Sequence, residues 1–141
     1  LTRQISYIDN PQMKSKYISL YKSMSKKIAS LQQKDGLWRS NLLDPNHFPD
    51  KETSDSSFYV YSLAWGVNEG IQNRSEYQPI IEKGWSGLTQ CVNKETGMLG
   101  FVQPIGAQPD DTSEFTTMSY GAGAFILAGL EVNKMMNKGQ E

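Results

Sequence analysis

Asp35-Gly36-Leu37-Trp38-Arg39 and the polar stretch that follows it, up to Glu52-Thr53-Ser54, decide how this 141-residue chain folds. Before this stretch, apolar residues recur at helical spacing from Met13 to Leu31, which predicts an amphipathic surface helix ending at Asp35-Gly36. After it, a second helix is expected to begin near Glu52 or Thr53, with Thr53, Ser54 and Asp55 as its capping residues. Long connections inside compact domains are uncommon and often functional, so we expect this loop to form a pocket wall.

Two further segments are read as the second and third helices. Residues 58–67 are apolar on nearly every side, which indicates a helix buried on several faces and ending near Gly70. A strand is the alternative for this β-branched and aromatic run. The third segment opens at Asn73-Arg74-Ser75. Because proline is tolerated only in a first turn, we expect its regular helix to start near Pro79.

The last predicted helix has the glycine-rich apolar body 120–130, with Ser113 or Thr117 as its cap. Each interior glycine costs about 1 kcal/mol of helix propensity relative to alanine. Such glycines are expected where other backbones pack closely, so this helix is predicted to be buried on more than one side.

An internal repeat relates the two halves of the chain. Gly36-Leu37-Trp38 and Gly97-Met98-Leu99 lie 61 positions apart (97 minus 36), and Leu63-Ala64 and Leu127-Ala128 lie 64 apart (127 minus 63). Each unit reads as an outer helix, a glycine stop, a long loop and an inner helix. Such an array places every long loop at the N-terminal ends of the inner helices, so both loops should converge on one face.

Composition excludes several classes of function. The 14 basic and 15 acidic residues lack the charge footprint of a nucleic-acid-binding protein, and no apolar run is long enough to cross a membrane. With Cys91 and His47 as the sole residues of their types, neither an internal disulfide nor a zinc cluster is expected. The chain begins without Met, and a processed or truncated start would look the same, so the compartment stays open.

Six ordered motifs in this chain resemble the C-terminal part of unsaturated rhamnogalacturonyl hydrolases, which form glycoside hydrolase family 105, a relative of family 88. Each motif is weak alone, but their order and spacing span nearly the whole chain. They are Asp35-Gly36-Leu37-Trp38-Arg39, Leu42-Leu43-Asp44-Pro45, Glu52-Thr53-Ser54, and the stretches 61–70, 100–106 and 120–129.

The resemblance implies an all-α fold, with helical hairpins forming part of an (α/α)6 toroid whose site lies at one mouth. It further implies removal of a 4,5-unsaturated galacturonyl group from pectin-derived oligosaccharides. The double bond is hydrated after an aspartic acid donates a proton, without metal or organic cofactor. The family's catalytic Asp and its Trp-Gly-Arg-Gly-Asn-Gly segment lie upstream of the matching region, and neither occurs here. We therefore assign no catalytic residue.

Residues 1–141 are accordingly expected to form a single all-α segment of about two hairpins, the C-terminal portion of a barrel, inactive in isolation. An uncovered inner face at 58–67 and 120–130 predicts self-association or pairing with a missing N-terminal part. The alternative is a non-catalytic helical module that binds oligosaccharide or protein.

The substrate-contact candidates are residues of the two loops and the helix starts, and each has a structural alternative. Trp38 could stack on a sugar ring or anchor its loop. Arg39 could bind a uronate carboxylate or form a surface ion pair. Glu52 could be a polar pocket contact or stabilise the helix start. The remaining candidates are Ser54, Gln103 and Tyr120, with Ser54 read first as a cap. Asp110, Asp111 and Glu114 could be read as a calcium site or acid pair, but a solvated loop is the favoured interpretation.

Overall fold

The computed structural model describes residues 2–138 and is built from helices and long loops. Within this range no named strand occurs, and the β-type pairing is limited to two isolated bridges, Trp38 with Glu52 and Val92 with Leu99. The all-α prediction is therefore confirmed. A short 3-10 helix, Arg3–Tyr7, precedes four α-helices: α1 (Pro11–Ser30), α2 (Thr53–Asn68), α3 (Arg74–Thr89) and α4 (Ser119–Asn137).

The first helix begins and ends through local chemistry. Asn10 caps α1 by accepting the Met13 amide at 2.9 Å, and Pro11 occupies the first position, where its missing N–H costs nothing. The helix ends at Ser30, earlier than the predicted stop at Asp35-Gly36. A turn follows, closed by the Gln33 amide on the Leu37 carbonyl at 2.9 Å, and Gly36 adopts a left-handed φ of 87° inside it.

The first helix is the amphipathic surface helix that the sequence predicts, but its apolar stripe is only partly covered. Tyr21 is buried against Trp65 of α2, with ring centroids 5.7 Å apart. Other members of the stripe stay exposed, because the described chain supplies only the 3-10 helix and α2 as neighbours on that side. The exposed members are Met13, Tyr17, Leu20 and Met24.

The two inner helices, α2 and α4, lie side by side and run in the same direction. Toward the C-terminal ends of the two helices, the side-chain amide of Asn68 donates to the Glu131 backbone carbonyl at 2.9 Å. Their N-terminal ends both emerge from the long loops, as the repeat predicted. The core lies between these helices and α3, and its fully buried members include Val60, Leu63, Ala64, Ile81, Leu88, Ala128 and Met135.

The third helix starts at Arg74, so the predicted start near Pro79 is wrong. Asn73 caps it by accepting the Ser75 amide at 2.9 Å and the Ser75 hydroxyl at 2.8 Å. Tyr77 is buried in the first turns and adds packing energy. Pro79 removes a single helical hydrogen bond, and the cap and the packing together outweigh that loss.

The fourth helix departs from prediction at its start and on one face. Its N-cap is Met118, which forms no side-chain capping bond, so neither Ser113 nor Thr117 has the predicted role. The side facing α2 and α3 is buried through Ala124 and Ala128. The opposite side exposes the large apolar residues Ile126, Leu127 and Leu130. No helix in the described part of the chain is long and apolar enough to cross a membrane.

Candidate functional site

The two long loops meet at the N-terminal end of α2, where they are joined by backbone hydrogen bonds. The Thr53 amide donates to the Phe101 carbonyl at 2.9 Å, and the Thr53 hydroxyl donates to the Gly100 carbonyl at 2.8 Å. Nearby, the Thr112 hydroxyl donates to the Lys51 carbonyl at 2.5 Å. The predicted convergence of the loops is confirmed, and their shared face forms the mouth of the helical array.

Glu52 is the hub of this mouth, although only 1% of its surface is exposed. One carboxylate oxygen accepts the Ser54 amide at 2.9 Å, the Ser54 hydroxyl at 2.5 Å and the Gln103 amide at 3.3 Å. The other accepts the Asp55 amide at 2.6 Å. Glu52 therefore caps α2, favoured by the positive end of the helix dipole, and also fastens the second loop to the first.

Ser54 stays behind the mouth surface. Its hydroxyl is committed to Glu52, and the residue is 5% exposed. Two further hydroxyls of the same helix start also serve the backbone, since Ser56 donates to the Glu52 carbonyl at 2.5 Å and Ser57 donates to the Thr53 carbonyl at 2.6 Å. The N-cap is Glu52, so the predicted capping role of Ser54 is wrong: its hydroxyl donates to the capping carboxylate and is not free for a ligand.

Trp38 is completely buried, so its ring presents no face on which a sugar could stack. Its indole N–H donates to the Ile28 carbonyl at 2.7 Å, and its backbone amide donates to the Ser56 hydroxyl at 2.9 Å. The ring also meets Tyr59 edge to face, with centroids 5.4 Å apart. The structure favours the anchor alternative, in which Trp38 ties α1, the first loop and α2 together.

Arg39 is held by its own loop. Its guanidinium forms an ion pair with Asp35 at 2.7 Å and donates to the Pro49 carbonyl at 2.8 Å. Burial opposes ionisation of Asp35, but the hydrogen bonds from Arg39 and from the Leu37 amide outweigh it, so the Asp35 pKa lies below its usual range. The ion-pair alternative is therefore the one that the geometry favours, and a substrate carboxylate would have to displace Asp35.

Gln103 and Tyr120 lie at the mouth and remain partly exposed. The Gln103 side chain accepts from Ser40 at 3.1 Å and donates to the Asp110 carbonyl at 3.1 Å. The Tyr120 hydroxyl, on the first turn of α4, donates to the Gln103 carbonyl. Of the six predicted site residues, these two and Arg39 are partly exposed, and Arg39 is already paired with Asp35.

Two further residues lie at the mouth: Asp55, predicted only as a capping residue, and Tyr59. They are four positions apart on α2, which places them on one helix face. Burial and the neighbouring Glu52 charge raise the Asp55 pKa, while burial, Asp55 and Glu52 raise the pKa of Tyr59 to about 12. Burial, Glu52 and Asp55 also raise the Tyr120 pKa. In the sequence, Tyr59 belongs to the apolar run 58–67, and that pattern gives no sign that its hydroxyl lies at the mouth.

The acidic loop residues have no metal-binding geometry. Among residues 2–138 there is no group of three or more His, Cys, Asp or Glu side chains that could hold a metal ion. Asp110 instead accepts the Asp111 amide at 2.9 Å, an ordinary loop contact. The solvated-loop interpretation of this segment is the one that the structure favours.

Comparison with known proteins identifies the class to which this helical array belongs. The family model described as Glycosyl Hydrolase Family 88 matches residues 1–136. A solved structure of a glycosyl hydrolase family 88 protein from Bacteroides vulgatus aligns with a TM-score of 0.83 at 34% identity, covering 90% of this chain and 38% of that one. The chain belongs to glycosyl hydrolase family 88, and its neighbours have the predicted (α/α)6 toroid fold.

Two curated relatives narrow the comparison. An unsaturated 3S-rhamnoglycuronyl hydrolase from Formosa agariphila is 45% identical over 119 residues, which is 84% of this chain and 31% of the relative. A protein of the same name from Alteromonas sp. (strain LOR) is 39% identical over 119 residues, 84% of this chain and 29% of the relative. The chain thus spans about a third of the length of these relatives. The family resemblance predicted from the sequence is confirmed.

Proposed function

We propose that this chain forms the C-terminal two hairpins of a glycoside hydrolase that removes an unsaturated uronyl residue from the end of an oligosaccharide. The observation that carries the proposal is the family 88 match across residues 1–136. The names of the curated relatives support an unsaturated uronyl sugar linked to rhamnose as the substrate class. On this proposal, residues 1–141 are one segment of the barrel, and its binding partner is an oligosaccharide that ends in an unsaturated uronic acid.

In the proposed reaction, a carboxylic acid protonates the enol-ether double bond, water adds to the resulting cation, and the hydrated sugar opens to release the remaining oligosaccharide. Within the described mouth, Glu52 is fully engaged in hydrogen bonds to the protein and is not free to donate a proton. Asp55 is the other carboxyl group at the mouth, and we assign it to substrate contact. Because the family's catalytic Asp segment does not occur in this chain, we place the acid in a part of the protein other than these hairpins. We assign this chain the role of a substrate-orienting wall.

Among the predicted contacts, Gln103 and Tyr120 are proposed to touch the sugar. Both side chains combine a hydrogen-bonding group with partial exposure, which suits recognition of sugar hydroxyls. Trp38, Arg39, Glu52 and Ser54 act behind them. Trp38 and Arg39 hold the first loop in place, and Glu52, bonded to Ser54, joins it to the second loop. Asp55 joins Gln103 and Tyr120 as an added contact, since no residue in the described structure donates a hydrogen bond to its carboxylate.

A test follows the ultraviolet absorbance of the unsaturated uronyl group, which disappears when the double bond is hydrated. The isolated chain should be inactive, and the same hairpins joined to the upstream hairpins should be active. In the active protein, Tyr120→Phe and Gln103→Ala should raise KM by about tenfold, the effect of losing roughly 1.4 kcal/mol of binding. Glu95→Ala, an exposed change in a turn, is the matched control.

Activity from the isolated chain would contradict the assignment of the acid elsewhere and would make Glu52 and Asp55 the first residues to replace. Oligosaccharide binding without hydrolysis, even when the upstream hairpins are present, would instead favour the non-catalytic helical module.

A further inference from the structure

A cavity of about 550 Å³, lined by both polar and apolar residues, lies beside the loop junction. Glu52 is extended, with φ −133° and ψ 114°, so its side chain and that of Lys51 point to opposite sides of the backbone. Glu52 faces the start of α2, whereas Lys51 lines the cavity. Phe101, Phe115, Asn93 and other loop residues complete the lining.

Lys51 is the cation of this cavity. Its ammonium group lies 5.1 Å from the centre of the Phe101 ring, within cation–π distance. No ion pair in the described structure involves Lys51. Asp35, whose pKa the Lys51 charge helps to lower, is already paired with Arg39. The three N–H donors of Lys51 are therefore available to an anionic group that enters the cavity.

The backbone of Phe101 is held in an unfavourable conformation that presents its ring to this cation. Its φ is 57°, a left-handed value that is a genuine outlier for a bulky residue. Two hydrogen bonds hold this conformation. The Phe101 backbone amide donates to the Ser113 carbonyl at 2.7 Å, and the Phe101 carbonyl accepts from the Thr53 amide. Retained strain of this kind concentrates at functional sites and motivates a search for a ligand.

The rim adds a second aromatic face and amide groups. Phe115 is 78% exposed, a large apolar surface that no residue of the described chain covers. Gln90 and Asn93 place side-chain amides on the same lining, and Glu114 is the carboxylate on the rim. Aromatic faces suit the C–H face of a sugar ring, amides suit its hydroxyls, and an unpaired lysine suits an acidic substituent.

We propose that this cavity is a second binding site for anionic sugar chains, in which Lys51 contacts a carboxylate or sulfate group and Phe115 stacks on a sugar ring. The site would hold the polymeric part of the substrate while its end is processed at the mouth. The choice of an anionic sugar rests on the proposed function, whereas the cavity and its unpaired cation do not.

The test is affinity electrophoresis of the 141-residue chain in native gels that contain polygalacturonate, dextran sulfate or neutral dextran. The anionic polymers should retard the chain and dextran should not. If Lys51 is needed for retardation by polygalacturonate, the site binds a carboxylate. If Lys51 is needed for retardation by dextran sulfate, the site binds a sulfate ester. Lys51→Gln and Phe115→Ala should each weaken retardation by about fivefold, the effect of one modest polar or stacking contact. Glu114→Gln should strengthen it by removing the like-charged rim group.

Lys94→Gln is the matched control, because it removes the same charge from an exposed neighbouring turn outside the cavity. If Lys51→Gln and Lys94→Gln weaken retardation equally, the binding is general charge attraction and the proposed site is overturned. The site is also overturned if neutral dextran retards the chain as strongly as the anionic polymers do, or if no polymer retards it. Far-ultraviolet circular dichroism confirms that each variant is folded.

Tyr120→Phe separates the two proposals, since it should leave retardation unchanged. If retardation by the anionic polymers and its dependence on Lys51 persist while no hydrolysis is found in the protein that contains the upstream hairpins, the proposed function fails and this site stands. If hydrolysis is found without Lys51-dependent retardation, this site fails alone.

Discussion

At the scale of single residues, Glu52 joins local helix chemistry to the tertiary arrangement of the mouth. Its carboxylate accepts four hydrogen bonds: three come from Ser54 and Asp55, and the fourth comes from the Gln103 backbone amide, 51 positions away. A short side chain could cap α2, but only a longer one can also reach the second loop. The same residue therefore explains why the two loops converge.

Replacing Glu52 with alanine should destabilise the chain by about 3 kcal/mol. The cap accounts for roughly 1 kcal/mol, and the rest comes from the buried amides and hydroxyl left without an acceptor. Urea denaturation followed by circular dichroism measures the loss. Glu95→Ala, in an exposed turn, should change stability by less than about 0.5 kcal/mol. A Glu52→Ala variant as stable as the control would contradict the interpretation that Glu52 clamps the two loops together.

At the scale of helices, close packing depends on particular glycines. A Cβ added to Gly84 of α3 would lie 2.6 Å from a methyl group of Val60 on α2, inside the core. Gly84 therefore allows α2 and α3 to approach closely. Gly123 of α4 is different, because a Cβ there would meet nothing within 4 Å.

These two glycines give opposite predictions for the same substitution. Gly84→Ala should lower the free energy of unfolding by about 2 kcal/mol, because overpacking outweighs the gain in helix propensity. Gly123→Ala should raise it by about 0.5–1 kcal/mol, since the propensity gain meets no steric cost. Thermal or urea unfolding of the matched pair decides the matter, and stabilisation by Gly84→Ala would show that α2 and α3 pack less closely than described.

At the scale of the whole molecule, two apolar faces stay uncovered in the described structure. One is the α1 stripe, in which Leu20 is 52% exposed, and the other is the outer face of α4, in which Ile126 and Leu130 are 61% and 62% exposed. Residues 58–67 expose less apolar surface than predicted, because Phe58 is the large apolar residue of that range that stays exposed. We infer that further hairpins, or a second copy of the chain, cover both faces.

Self-association of the isolated chain should therefore depend on these faces. Sedimentation velocity should show mass increasing with protein concentration, and Leu130→Lys should shift the chain toward monomer by placing a charge in the contact. Asn46→Lys adds the same charge to an exposed loop residue and should leave association unchanged. A wild-type chain that stays monomeric over the concentration range, without binding an apolar dye, would contradict the inferred interface.

The sequence by itself determined which segments are helices, where α2 begins, how the repeat places both loops at one end, and the family. The helices and the start of α2 rest on spacing and capping groups that act within a few residues, and the repeat and the family rest on the order of motifs along the chain. Only the tertiary structure decided that Trp38 is an anchor, that Arg39 is paired and that Glu52 clamps two loops. It also decided the burial of α1 and the start of α3. The reason is that burial and hydrogen-bond partners depend on residues far away in the chain, and local propensity carries no information about them.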